Sequence, residues 1–246
     1  VSTVVSWIKG EGGTTVDIRV YRESEDKYYD FTVERRKIEV PTVAYEMLED
    51  NIGYVQVTEF DEVTSDQYIA AVDDLKAQGM EGLIVDIRDN PGGLLSCVVD
   101  MLDYMLPEGT IVYTEDKNGE GDTYTSDAEH YFDLPLAVLV NGNSASASEI
   151  FSGAIQDYET GTIIGTQTFG KGIVQSILPF NDGSAIKITV SRYFTPRGTC
   201  IHGEGITPDV EVDLNEELKT KLTIEKSEDN QLQKAIENVK EQIAAE

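Results

Sequence analysis

Two short and almost uninterrupted apolar segments constrain the fold of this chain more than any other feature. They are residues 82–88 (GLIVDIR) and 134–140 (LPLAVLV). A strand with apolar residues on both faces is typical of a parallel sheet that helices cover on both sides. A helical pattern follows each of them, at about residues 94–105 and 145–157. The alternation predicts an α/β domain with a mainly parallel sheet and flanking helices.

Further elements extend this pattern. Residues 53–60 predict a strand, and residues 64–79 predict a helix that begins at Thr64 or Ser65 and stops at Gly79. More strands are predicted at residues 110–114, 162–165, 173–179 and 184–193.

The front of the chain has a different pattern. Residues 1–9 predict the end of an apolar helix, residues 14–22 alternate as a half-buried strand does, and residues 28–40 predict its hairpin partner. About 40 residues rarely hold a core alone. We therefore interpret them as the second half of a small domain whose first half is missing, with a boundary at Pro41.

The last part of the chain, residues 215–246, is charged and amphipathic. Leu232, Ile236, Val239 and Ile243 recur on one face of a predicted helix. Packing of this face on the domain is the favoured interpretation, and a homodimer contact is the alternative.

Composition excludes several classes of function. The net charge of −27 disfavours binding to nucleic acid and to anionic membrane surfaces. Cys97 lies among apolar residues and reads as a buried small hydrophobe, whereas Cys200 lies in a turn-like stretch. No His, Cys, Asp or Glu cluster has metal-ligand spacing, and no Walker-type phosphate-binding loop is present, so we expect neither a metal nor an organic cofactor.

Three serines follow the apolar strand 134–140, at Ser144, Ser146 and Ser148. A serine at a strand-to-helix junction lies at the carboxyl edge of the sheet, where sites of α/β proteins occur. The free N–H groups of the helix start would stabilise an oxyanion. These serines could equally be helix caps, and the segment by itself favours that interpretation.

Two other segments could join such a site. Lys171 is the only charge in residues 166–180, and apolar surroundings would favour its neutral amine, which can accept a proton from a serine. A surface lysine on a glycine turn is the simpler interpretation. The Asn90-Pro91-Gly92-Gly93 turn would let a backbone N–H approach a substrate carbonyl, although a tight turn explains these glycines too.

Histidine chemistry has little support. The only histidines are His130, in an acidic loop, and His202, in a glycine-rich turn. Neither context obviously faces a nucleophile, so a Ser-His-Asp triad is weakly indicated.

Taken together, four segments resemble the C-terminal-processing peptidases, also called tail-specific proteases. The resemblance covers nearly the whole chain and keeps the order of the family's recurring blocks. The segments are DIRDNPGGLL (86–95), VLVNGNSASASEI (138–150), GTQTFGKGIVQ (165–175) and YFTPRGTCIHGEGITPDVEV (193–212).

This resemblance implies a role for each matching residue. Ser146 matches the nucleophile, and Lys171, 25 residues further on, matches the general base. Gln175 matches the side chain that orients the lysine, and the N–H groups of Gly92 and Ala147 match the oxyanion hole.

The other two serines, Ser144 and Ser148, then have turn and cap roles. The choice of Ser146 among the three rests on the family spacing, because composition does not decide it.

The resemblance also implies an architecture and a setting. It implies the C-terminal part of a PDZ-like domain at residues 1–37, a ClpP/crotonase-like Ser-Lys protease core at 38–214 and a helical extension at 215–246. The expected partners are protein or peptide substrates with unstructured C-termini, and the expected location is extracytoplasmic, anchored to a bacterial cytoplasmic membrane. The carboxylate-binding loop of a PDZ domain would lie before residue 1. Because the PDZ domain of such enzymes can hold the site misaligned until substrate binds, we expect Lys171 to be misaligned with Ser146.

Two rival functions stay open at this point. One is a peptide-binding module that captures peptides on a protease-like fold without cleaving them. The other is a Ser-Lys amidase that acts on small amides.

Overall fold

The computed structural model describes residues 2–36, 40–127, 129–221 and 223–245. The chain divides into two compact units, Val1–Val40 and Pro41–Glu246. None of the helices in these ranges is long and apolar enough to cross a membrane.

The first unit contains a short helix and a β-hairpin. Its elements are α1 (Ser2–Ile8), β1 (Thr15–Arg22), a 3₁₀ turn (Glu23–Glu25) and β2 (Lys27–Glu34). The two strands pair antiparallel with Ile18 opposite Phe31, which confirms the predicted hairpin. No described side chain in residues 3–36 is buried, so this unit has no core of its own.

The second unit contains ten strands and four α-helices in the residues described. In chain order they are β3 (Val43–Met47), a 3₁₀ turn (Glu49–Asn51), β4 (Ile52–Val57), α2 (Thr64–Ala77), β5 (Gly82–Asp86), α3 (Leu95–Asp103), β6 (Gly109–Glu115), β7 (Thr123–Ser126), β8 (Leu136–Val140), α4 (Ala147–Tyr158), β9 (Thr162–Gly165), β10 (Ile173–Pro179), β11 (Ala185–Phe194), β12 (Val210–Glu211) and α5 (Asn230–Ile243).

A six-stranded sheet forms the centre of the second unit. Its order is β12–β9–β8–β5–β4–β3, and all neighbours are parallel except β3 and β4. Every residue of β5 and β8 is buried, because helices cover both faces. Leu83 and Val85 pack in the cluster with α2, α3 and α4, whereas Ile84 between them packs with α5. The predicted α/β fold is confirmed at this level.

A second sheet was not predicted. β10, β11, β6 and β7 form a four-stranded antiparallel sheet in that order, so three strands assigned to a mainly parallel sheet lie elsewhere. The physical reason is visible in β11, where residues 185–190 are all exposed. A strand that is open to solvent is compatible with antiparallel pairing and not with a parallel sheet buried on both faces.

The C-terminal helix α5 packs on the central sheet through the predicted apolar face. Leu232 and Val239 are fully buried, and Ile236 and Ile243 pack against the same cluster. Full burial of a side chain such as Leu232 or Val239 contributes about 1.5–3 kcal/mol. Because the sheet already covers this face, it is not free for the homodimer contact that was the alternative.

The two cysteines are both unpaired thiols. Cys97 is buried, as predicted, and Cys200 is half-buried. Burial raises the pKa of the Cys97 thiol to about 11, so it is a protonated, inert group at neutral pH.

Candidate active site

The three serines after β8 have different surroundings. Ser144 is buried and its Oγ donates to the Ile87 carbonyl at 2.8 Å. Ser148 is buried and its Oγ donates to the Asn90 carbonyl at 2.9 Å. Ser146, at the N-cap of α4, is half-exposed and forms a capping box with Glu149, whose Oε2 accepts from the Ser146 N–H at 2.8 Å. The hydroxyls of Ser144 and Ser148 therefore have structural roles, and Ser146 is the one of the three that solvent can reach.

The backbone at Ser146 is strained. Its φ of 57° and ψ of −112° lie in a region that non-glycine residues rarely adopt. Such a conformation costs about 1–3 kcal/mol and persists only where its surroundings enforce it. A strained strand-to-helix turn is a recurrent way of exposing a nucleophilic serine at the edge of a sheet.

One backbone N–H beside Ser146 is unused. The first N–H groups of a helix have no intrahelical acceptor. The N–H groups of residues 148–150 donate to the carbonyls of Ala145 or Ser146. That of Ala147 has no hydrogen-bond acceptor among the described groups, so it is available to a substrate oxyanion.

The Gly92 turn lies directly against this position. A Cβ on Gly92 would lie 2.8 Å from Ser146 Cβ and 2.9 Å from Ala147 N, and Gly92 has a φ of +100°. Only glycine fits here. The Gly92 N–H donates to Asn90 Oδ1 at 2.9 Å, so this predicted oxyanion donor is engaged within its own turn.

A carboxylate that the sequence analysis did not single out connects the two halves of the site. Glu149 is fully buried, and its Oε2 accepts hydrogen bonds from Ser146 N and Lys171 N, both at 2.8 Å. Its Oε1 accepts from Thr168 Oγ1 at 2.7 Å and from Gly170 N at 2.6 Å. Because both backbone nitrogens lie 2.8 Å from the same oxygen, the nitrogens of Ser146 and Lys171 are separated by at most twice 2.8 Å.

The buried carboxylate of Glu149 is stabilised by its hydrogen-bond donors and by its position in the helix. All four contacts of the Glu149 side chain are hydrogen-bond donors, and it lies in the first turn of α4, where the helix dipole favours an anion. A sequence signal for Glu149 exists, because serine followed three residues later by glutamate is the pattern of a capping box.

Lys171 differs from its expected surroundings. Its side chain is exposed and not enclosed by apolar residues. The glycines on either side of it are buried, and a Cβ on Gly172 would lie 2.5 Å from His202 N, so the backbone packs tightly here while the lysine side chain remains in solvent. The described residues contain no hydrogen bond between Lys171 Nζ and Ser146 Oγ, and the expected misalignment of the two groups stays a prediction.

Gln175 lies at a bulge in β10. The pairing of β10 with β11 shifts between Val174 and Gln175, and Gln175 pairs with Thr189. The Gln175 side chain is exposed and makes no hydrogen bond within the described part of the chain. Its predicted role of orienting the lysine therefore requires a movement of β10 or of the lysine side chain.

Both histidines are exposed. The ring of His130 stacks on Tyr104 with 5.1 Å between ring centroids. The backbone of His202 lies beside Gly172, one residue from Lys171. His202 is therefore the histidine whose role as a general base an experiment has to exclude.

A buried ionic cluster lies at the end of β5, before the Gly92 turn. Asp86 accepts hydrogen bonds from Tyr54 and Arg88. Burial, and then the Asp86 charge, raise the pKa of Tyr54 above its usual value. Burial lowers the pKa of Arg88, but hydrogen bonds and charges from Asp86 and Asp229 outweigh it and leave that pKa raised. In the part of the chain that is described, no group of three His, Cys, Asp or Glu side chains could hold a metal ion.

Comparison with known proteins gives consistent matches. Residues 51–212 match Peptidase family S41. The chain is 38% identical over 206 residues to a carboxyl-terminal-processing protease of Synechocystis sp., which covers 82% of this chain and 48% of the relative. It is 37% identical over 215 residues to the carboxy-terminal processing protease CtpA of Bacillus subtilis, covering 87% of this chain and 46% of the relative.

A solved structure is similar as well. The photosystem II D1 C-terminal processing protease superposes with a TM-score of 0.67 at 32% identity, covering 83% of this chain and 57% of that one. The chain spans about half the length of the curated relatives that it matches. The matched residues 51–212 include Gly92, Ser146 and Lys171, and the chain therefore belongs to peptidase family S41.

Proposed function

We propose that this chain carries the catalytic core of a serine endopeptidase that cleaves proteins near their C-terminal tails, with Ser146 as nucleophile and Lys171 as general base. The observation that carries the proposal is the Glu149 carboxylate, which holds the backbone of Ser146 and the backbone of Lys171 through the same oxygen. Two residues 25 positions apart in the chain are thereby fixed as neighbours. The names of the relatives support the same class of reaction.

The first chemical step is acylation. Lys171 Nζ accepts the proton of Ser146 Oγ as that oxygen attacks the scissile carbonyl. The N–H groups of Ala147 and Gly92 stabilise the oxyanion, and loss of one such donor typically costs ~10²–10³ in rate. The Gly92 N–H becomes available when the Asn90 side chain releases it.

The second step restores the enzyme. The lysine ammonium protonates the leaving amine as the C–N bond breaks, which leaves an ester on Ser146. The neutral amine of Lys171 then takes a proton from water as the hydroxide attacks the ester, and the ammonium returns that proton to Ser146 Oγ as the acyl C–O bond breaks and the new C-terminal carboxylate leaves. No metal or organic cofactor takes part.

Substrate binding is proposed along β10. This strand ends its sheet on one side, begins two residues after Lys171 and carries Gln175. A substrate tail added to this edge as an extended strand would be held by its main chain, so varied and unstructured C-termini would be accepted.

An ordering step completes the proposal. Lys171 and Gln175 are both exposed and have to turn towards Ser146 before the reaction. We assign residues 1–37 to the C-terminal part of a PDZ-like domain, residues 38–214 to a ClpP/crotonase-like core and residues 215–246 to a helical extension. Peptide capture by a complete PDZ domain would drive the ordering step.

The proposed location of the full-length protein is extracytoplasmic, anchored to a bacterial cytoplasmic membrane. This part rests on the family resemblance alone. Fractionation of cells that express the full-length protein tests it, and recovery in the cytosol contradicts it.

The central experiment uses mass spectrometry of an unstructured protein with an apolar C-terminus, incubated with wild type, Ser146→Ala and Lys171→Ala. Both variants should lose cleavage while they keep the thermal unfolding transition of wild type. Ser184→Ala and Lys117→Ala, which change exposed side chains in turns, are the matched controls and should cleave normally. Cleavage at the wild-type rate by Ser146→Ala would contradict the proposal.

A second candidate function is peptide capture without cleavage. The exposed Lys171 and the engaged Gly92 N–H are observations that favour it. Tight binding of the same substrate by wild type, with no product after long incubation, would support it. Cleavage of a small amide but not of the protein would instead indicate an amidase.

A further inference from the structure

The N-terminus of α5 is bonded to the strand end that leads into the Gly92 turn. Arg88 Nη2 lies 2.8 Å from Asp229 Oδ2, and Arg88 Nη1 donates to Asp229 Oδ1 at 3.1 Å and to Gln231 Oε1 at 3.0 Å. The other side of the guanidinium binds Asp86, through Nε at 3.0 Å and Nη2 at 2.6 Å. Arg88 is thus held on both sides by acceptors, and the exposed fraction of its side chain is 14%.

The residues that follow Arg88 are hydrogen-bonded to the turn that carries Ser146. The next residue but one, Asn90, is buried, and its carbonyl accepts from Ala145 N at 3.0 Å and from Ser148 Oγ at 2.9 Å. Its Oδ1 accepts from Gly92 N at 2.9 Å. A single residue, Asp89, therefore separates Arg88, which is hydrogen-bonded to α5, from Asn90, which holds the oxyanion turn and the start of α4.

We propose that Asp229 is a positioning residue that holds the turn at residues 89–93 in register with Ser146, acting through Arg88. The consequence for catalysis rests on the proposed peptidase function. Without the Asp229 charge, Arg88 keeps Asp86 and Gln231 as partners but loses the ion pair that, together with them, fixes the direction of its side chain. The turn then samples positions in which Gly92 is displaced from Ala147.

The test has to separate this role from the role of Asp229 as a helix cap. Asp229 Oδ1 also accepts from Gln231 N and Leu232 N, both at 3.1 Å. Asparagine and aspartate are about equally good N-caps. Asp229→Asn can therefore keep the cap, whereas its uncharged amide, with an NH₂ group in place of Oδ2, no longer pairs with Arg88 Nη2. Asp229→Ser, which also caps but has no carboxylate, is a second variant in case the first folds poorly.

The matched control is Glu237→Gln. It removes one negative charge from the same helix, at an exposed ion pair with Lys234. We expect Asp229→Asn to lower kcat about tenfold, with KM within about twofold of wild type, because displaced catalytic groups affect the reaction more than binding. Glu237→Gln should leave both constants unchanged.

Amide hydrogen exchange measures the turn itself, independently of activity. In Asp229→Asn, exchange at the Gly92 and Ala145 N–H groups should be about tenfold faster, with β10 and β11 unchanged. Unchanged exchange at both amides would overturn the positioning role. If exchange rises but wild type cleaves nothing, the peptidase assignment fails while the role of Asp229 in holding the turn stands.

Discussion

At the scale of single residues, Glu149 is a buried side chain that holds two distant parts of the candidate site together. It binds the N–H of Ser146 and so enforces the strained φ of that residue, and it binds the turn that carries Lys171. Both contacts are made by backbone groups. Glu149 therefore fixes the backbone at Ser146 and Lys171 without constraining either side chain.

The first prediction concerns this carboxylate. Glu149→Gln should lower kcat by about 10²-fold, because an amide places an NH₂ group where a backbone N–H needs an acceptor. The measurement is steady-state cleavage of the unstructured substrate. Glu159→Gln, an exposed acid just after the same helix, is the control and should behave as wild type. Equal kcat values for the two variants would contradict the role of Glu149.

A second prediction separates a lysine base from a histidine base. His202→Gln should keep wild-type activity, and the rate should rise above neutral pH with no limb near the histidine value of ~6.5. The profile of kcat/KM against pH for the variant and wild type provides the measurement. A limb near 6.5 that disappears in His202→Gln would assign the base to His202.

The sequence indicated part of this site and missed part of it. Ser146, Lys171 and Gly92 were singled out from strand ends, glycine turns and the family resemblance. The surroundings of Lys171 were not predictable, because exposure depends on how residues 170–172 lie against residues 201–205. Asp229 left no signal, since an N-cap aspartate reads as a local feature and its partner lies 141 residues away.

At the scale of elements, α5 is part of the core. Leu232 is 1% exposed and packs with Ile84 and Leu139 on the face of the sheet opposite α2, α3 and α4. Leu232 therefore contributes to the stability of the fold as an interior residue does, although it lies close to the C-terminus.

A third prediction follows from this packing. Leu232→Ala should lower the free energy of unfolding by about 2–5 kcal/mol, because it removes buried methyl groups and leaves a cavity. Urea denaturation followed by circular dichroism measures the change. Glu241→Ala on the exposed side of the same helix should change stability by less than about 0.5 kcal/mol. A Leu232→Ala loss of similar size to the control would mean that α5 is only loosely packed.

The sequence patterns predicted some strands and missed others. The buried strands β5 and β8 were predicted because both faces are apolar. β7 was missed because it lies in a polar stretch and is held by pairing with β6. The separate sheet was missed because the sequence of residues 185–190 indicates a strand but does not indicate which strand it pairs with.

At the scale of the whole molecule, the two units contribute unequally to stability. Both apolar clusters draw only on residues beyond Pro41, whereas residues 3–36 bury no described side chain. Several large apolar side chains of the first unit are exposed, among them Trp7 and Phe31.

A fourth prediction tests this inequality. A fragment of residues 41–246 should unfold cooperatively, with a Tm within about 2 °C of the whole chain, because its core is intact. Differential scanning calorimetry of the fragment and the whole chain provides the comparison. A fragment that is insoluble, or that lacks a cooperative transition, would show that residues 1–40 are required for the fold.

The Glu149 contacts have one more consequence, for the timing of biosynthesis. The carboxylate reaches its resting place only when residues 168–171 have left the ribosome and wrapped around it. Until then Ser146 lacks the hydrogen bond that holds its backbone, and the turn that carries Lys171 is not yet in place. Under the proposed mechanism, a nascent chain would therefore gain the geometry of its candidate nucleophile only after residue 171 has emerged, so that premature hydrolysis of neighbouring chains would be avoided.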